Sequence, residues 1–119
     1  MTFRDVIEGM HVKDPGVRAG ALVGEDGLTV EEWHAPADEC DLPALCAEIV
    51  RFFRESDRIA TENGLGEAGE IYLAGERALV FVRRVAQGYF LVVVTTTGTV
   101  PGKCRFLLRQ AARRTREML

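Results

Sequence analysis

The sequence predicts an α+β fold: a five-stranded antiparallel sheet sandwiched between one long middle helix and two terminal helices. Three observations carry this. Stretches with helical spacing of apolar residues open, divide and close the chain, at 2–13, at 41–63 and from about 101 onward. The runs between them are joined by connections too short for parallel crossovers: GEDG at 24–27, Gly75-Glu76 and Gln87-Gly88. Finally, YFLVVVTT at 89–96 is apolar on successive residues, as a central strand covered on both faces must be. The order is α-β-β-α-β-β-β-α. A length of 119 residues provides for one domain, 1–119, with its own core, but not for two.

In the first helix Phe3, Val6, Ile7 and Met10 share a face, and Asp14-Pro15-Gly16 stops it because proline disfavours helix at the residue before it. VRAGALVG, from Val17, is the first strand. Gly27 closes the following turn at a position suited to positive φ. LTVEEW alternates, and its charges on both faces suit an edge strand. The long helix has Asp41 as N-cap, Pro43 in its tolerant first turn and Asn63-Gly64 as its stop. Its apolar residues (Leu42, Leu45, Cys46, Ile49, Val50, Phe52, Phe53, Ile59, Ala60) cover about half the cylinder, more than the ~100° stripe of a surface helix. That width fits either a helix deep in the core or one with two apolar contacts, to its sheet and to a partner. Strands follow at about 67–74, 78–86 and 88–97. The last helix turns Cys104, Leu107, Leu108, Ala111, Thr115 and Met118 inward and Arg105, Arg109, Arg113 and Arg116 outward.

Composition narrows the function. Hydrophobic residues make up 47% and charged residues 28%, as in an ordinary soluble protein. No apolar run approaches a membrane span, and the N-terminus is acidic where a secretion signal would be basic, so a cytoplasmic protein without a membrane partner is expected. The net charge of −3 hides an asymmetry: residues 25–48 hold eight acids and no Lys or Arg, and residues 103–117 hold six bases and one acid. The basic stripe lacks interleaved aromatics and the pI is near 5.4, so it reads as a solvated face and no nucleic-acid partner is expected.

No catalytic constellation emerges. Cys40, Cys46 and Cys104 have neither disulfide-framework nor zinc spacing and read as small buried hydrophobes. His11 and His34 lack sequence partners. Glu31 and Glu32 are adjacent on a strand and point to opposite faces, so they cannot act as one acid–base pair. GLGEAGE at 64–70 follows a helix and precedes a strand, the reverse of a phosphate loop. No enzyme activity, metal or cofactor is expected.

In its order of elements the chain resembles the roadblock / dynein light chain family, of the prokaryotic MglB type. The carriers are PGVRAGALVGEDGLTVE at 15–31, DLPALCAEI at 41–49, ATENGLGEAGEIYL at 60–73, and the tail from Tyr89 to Leu119, including Gly102 and Arg105. Thr99-Val100-Pro101 departs from the small polar residues and leucine usual before that glycine. The chain also lacks the extended termini of some members, so contacts made through such tails are not expected.

The resemblance implies a homodimer in which the third strand pairs with its copy and the middle helices pack together. Phe52, Phe53, Ile59, Ile71 and Leu73 would form that interface. It further implies a regulator of a small Ras-like GTPase that donates no arginine finger, or alternatively a dimerisation scaffold without effect on nucleotide turnover. A small-molecule sensor is the weaker third reading. The GTPase would dock on the polar side of the long helix, at Ala44, Ala47, Glu48, Arg51, Arg54, Glu55 and Arg58, where small residues allow close approach and charges set register. That same face also reads simply as solvated, with alanines present for helix propensity.

Overall fold

Helix α1, Phe3–Lys13, starts at a capping box: Thr2 Oγ1 accepts from Asp5 N (3.2 Å), and Asp5 Oδ2 accepts from Thr2 N (2.9 Å). The structure is a computed structural model that describes residues 1–86 and 88–119. Strands β1 (Val17–Gly24) and β2 (Thr29–His34) form a hairpin, then α2 runs Leu42–Glu62. Strands β3 (Glu70–Ala74), β4 (Leu79–Ala86) and β5 (Tyr89–Thr95) follow, and α3, Pro101–Met118, closes the order. The expected β4–β5 turn at Gln87-Gly88 lies partly outside the described residues.

Local chemistry sets the bounds of α2. Asp41 accepts from Ala44 N (3.2 Å) at its start. At its end Gly64 has φ +74, and Gly64 N and Leu65 N donate to Thr61 O and Ala60 O, the two bonds of a Schellman stop. Beyond it β3 begins later than the expected residue 67; Gly66 has φ +82, and residues before Glu70 are spent in bends. At α3, Val100 supplies no side-chain cap, so Pro101 in the first turn starts the helix without one.

The sheet is antiparallel throughout, in the order β2-β1-β5-β4-β3. β5 is central, and its alternation divides two cores. Leu91 and Val93 face α1 and α3 with Ile7, Phe81, Cys104 and Leu108. Phe90, Val92 and Val94 face α2 with Cys46, Ile49, Val50 and Phe53. Every strand but the two outermost is paired on both sides, so what the sheet offers to another chain is the edges of β2 and β3.

Candidate dimerisation and docking surface

The hydrogen-bond phase of each edge decides which residues face out. On β3, Gly75 N donates to Ala78 O (2.9 Å) and Arg84 N donates to Gly69 O (3.0 Å). Antiparallel ladders alternate, so in the observed register Ile71 and Leu73 turn their backbone groups toward β4, while Glu70, Tyr72 and Ala74 turn theirs outward. The side chains alternate too. Ile71 packs at the margin of the α2 core, whereas Tyr72 stacks on Phe81 (ring centroids 4.8 Å apart) on the opposite face. The outer edge of β3 carries no bulge and no proline. Its one charged residue, Glu70, is drawn toward the α3 side by Arg105 (2.6 Å) and Arg83 (3.2 Å).

Beside this edge α2 presents a second apolar seam. Leu45, Phe52 and Ile59 are spaced by seven, which keeps them in line along a helix and is the spacing of helix–helix seams. Leu45 is half-buried, Phe52 is 52% exposed and Ile59 is exposed. Leu45, Glu48, Ile49, Arg51, Phe52 and Leu73 line a groove of about 530 Å³ between helix and edge strand. Of the five expected interface residues, Phe52, Ile59, Ile71 and Leu73 are at least partly accessible here. Phe53 is corrected: it is 0% exposed, packs on Phe90 (centroids 4.7 Å apart) beneath Arg84, and so belongs to the chain's own core. A turn of 100° per residue separates the two phenylalanines, enough to put one inside and one outside. Leu45 and Tyr72 were not singled out from sequence; the seven-residue spacing was the available signal for the first.

No protein-family model matches the sequence, and no curated protein matches it. Solved structures do match. Two MglB structures, one with a tetrameric arrangement and one the gliding protein of Thermus thermophilus, are each 19% identical. They superpose with TM-scores of 0.89 and 0.88 over 98% of this chain and 86% and 87% of theirs. A roadblock/LC7 domain from Streptomyces avermitilis, 14% identical, has a TM-score of 0.85 over 97% of this chain and 95% of its own. The fold is the roadblock fold. MglC from Myxococcus xanthus, 26% identical, is similar over 100% of both chains with a TM-score of 0.71. The expected architecture and the MglB-type resemblance both stand.

In this roadblock fold the residues expected to meet a GTPase, Ala44, Ala47, Glu48, Arg51, Arg54, Glu55 and Arg58, are all exposed on α2. They are not one patch. Glu48 and Arg51 line the groove beside Phe52 and Leu73. Ala47 lies on the other flank, where Gly27 (φ +85) comes so close that a Cβ there would sit 3.3 Å from Ala47 Cα. Arg58 is engaged within the helix by Glu55 and by Glu62 (2.6 Å). Arg51 and Arg54 make no ion pair among the described residues.

The rest of the chemistry is structural. Burial pushes the thiols of Cys46 and Cys104 up to about 12, which keeps them protonated and poor nucleophiles at neutral pH. Cys40, expected buried, is half-buried, and burial raises its thiol as well. Among the described residues no three His, Cys, Asp or Glu side chains gather as a metal site, and no helix is long and apolar enough to cross a membrane. His11 Nδ1 lies 2.7 Å from Val17 O, and its ring packs on Trp33. His34 is fixed between Asp38 (2.7 Å) and Glu32 (3.3 Å), with Arg18 on the other oxygen of Asp38 (2.9 Å).

Proposed function

We propose that the chain is a cytoplasmic, non-enzymatic homodimer that regulates a small Ras-like GTPase. The observation that carries it is the continuity of the uncapped β3 edge with the apolar seam of α2. Strand pairing across a two-fold would satisfy the outward groups of Glu70, Tyr72 and Ala74, and helix pairing would cover Leu45, Phe52, Ile59 and Leu73. Together they would make a ten-stranded sheet with both α2 helices on one side. The GTPase docks on that paired-helix surface: Ala44 permits close approach, and Arg51 and Arg54 are the cations free to meet an acidic switch region. Among the described residues no side chain is placed as a nucleophile, so an effect on turnover would come from reshaping the GTPase.

The test mixes the purified protein with a Ras-like GTPase from the same cells and follows binding and GTP turnover. Expected is a complex containing two copies of this chain, with accelerated turnover. Binding without acceleration selects the scaffold reading instead. Failure to bind at tens of micromolar removes the GTPase from the proposal while leaving the dimer to be judged by its mass.

A further inference from the structure

Helix α3 displays a large aromatic side chain to solvent in its N-terminal half. Phe106 is 59% exposed. On its outward face lie Lys103, Arg109 and Arg113, at three before, three after and seven after. The neighbouring arginines are occupied: Arg105 Nε donates to Glu70, and Arg116 Nε donates to Val85 O (2.7 Å). Lys103, Arg109 and Arg113 make no ion pair among the described residues. The result is an apolar knob set in available positive charge.

At the β1–β2 hairpin the same chain carries the inverse. Leu28 and Val30 are 69% and 56% exposed, and with Tyr89 they line a groove of about 440 Å³ edged by Glu25 and Asp26. Tyr89 packs at the margin of the α1/α3 core, so the groove adjoins the side of the sheet that also bears α3. The hairpin opens the stretch of eight acids without a base. Phe106, Leu28 and Val30 belong to neither of the chain's own cores.

We infer that the two features are complementary halves of a second self-association surface: Phe106 of one copy seats in the Leu28–Val30–Tyr89 groove of another. Lys103, Arg109 and Arg113 then face Glu25 and Asp26. An apolar anchor ringed by one sign of charge and a cup rimmed by the other give both contact area and register. Knob and groove are different surfaces, so the contact either closes by reciprocity or propagates. It shares no residue with the β3 edge or the α2 seam, so in combination with that dimer it builds assemblies larger than two.

Light scattering and sedimentation over a concentration series test this. Wild type is expected to form species of more than two copies that shrink as salt screens the charges. Phe106→Ser and Leu28→Asp should each weaken that step at least tenfold with melting unchanged. The Arg109→Glu/Arg113→Glu variant and Glu25→Arg should each fail alone and associate when mixed. In an Ala74→Pro background, which removes β3 pairing, the Phe106-dependent step should persist, so the two self-contacts are judged separately. A wild type no larger than Phe106→Ser at any concentration overturns the inference. Large species that survive both Phe106→Ser and Leu28→Asp also overturn it, as does basic-face retention on a polyanion with no self-association.

Discussion

β2 and β3 hold the same station, one at each end of the sheet, and they are finished differently. β2 carries a register irregularity between Leu22 and Val23 on its partner, which leaves Val30 as an extra residue, and it bears Glu31, Glu32 and His34 along its length. Its end is tied down by the Arg18–Asp38–His34 network. Bulges and charges are the usual devices that stop an edge from recruiting another strand. β3 has no bulge and a single charge, Glu70, which Arg105 and Arg83 engage; its register is unbroken, and Ile71, Tyr72, Leu73 and Ala74 carry no charge. An edge left open beside an apolar helix seam is the end of the sheet at which the proposed dimer would form.

The sharpest probe of that division uses two adjacent residues. Phe53→Ala empties a core position and should cost about 3–5 kcal/mol of chain stability. Phe52→Ala should change monomer stability by no more than about 0.5 kcal/mol, yet weaken the dimer by about 2 kcal/mol, roughly 30-fold. Urea melts in a monomeric background give the first numbers, and dilution sedimentation the second. Equal effects would mean that the α2 seam is not an interface.

Proline breaks the comparison at the backbone. Ala74 and, by the same alternation on β2, Glu32 point their N–H groups outward; Ala35 N donating to Arg18 O (2.9 Å) fixes the phase on that side. Ala74→Pro should reduce dimer affinity at least about 100-fold. Glu32→Pro should leave the mass unchanged. Leu73→Pro is a poorer probe, because Leu73 N–H serves the chain's own β3–β4 ladder. Its cost, about 2–3 kcal/mol, would fall first on folding.

Much of this was legible in the sequence, where local chemistry decides the outcome. Asp41 and Asn63-Gly64 bound α2 as read, Gly27 closes its turn, and the continuous apolar run of β5 placed it at the centre. What failed depends on partners distant in sequence. Phe52 and Phe53 are indistinguishable until the sheet fixes the inward axis of α2. Met118, assigned inward, is exposed in the last turn of α3. The outward phase of β3 depends on where Ala78 and Arg84 pair, and the engagement of Arg105 depends on Glu70, 35 residues away.

A smaller effect tests whether α2 carries the docking face. Arg51→Glu with Arg54→Glu should slow association with the GTPase about tenfold at low salt, with the difference shrinking as ionic strength rises. Ala44→Trp should weaken the complex without altering the melt. Ala47 is less suitable, since its backbone lies against Gly27. Unchanged binding in both variants, with binding lost on reversal of Arg109 and Arg113, would move the GTPase to the α3 side.

The smallest effect tests the protected edge through pH. Both ring nitrogens of His34 face carboxylates, Asp38 at 2.7 Å and Glu32 at 3.3 Å, and only the imidazolium can donate to both. The Asp38 hydrogen bond is the main cause raising His34 above its ordinary 6.5. Burial opposes ionisation of Asp38, but hydrogen bonds from His34, Arg18 and Cys40 N outweigh it and hold that carboxyl below 3.8. A raised histidine contributes fully below 6.5 and loses its contribution as pH climbs through the folded value. A lowered aspartate contributes above 3.8 and loses its contribution as pH falls through the folded value. The network is therefore strongest between these limits, in mildly acidic solution. His34→Gln should remove about 1 kcal/mol of stability at pH 5.5 and almost none at pH 9, read from urea melts of the monomeric background. Dimer affinity should stay flat across the same range, because the network braces β2 and not β3. A dimer constant that follows the His34 titration and goes flat in His34→Gln would place β2 in the assembly, and the contrast between the two edges would fall with it.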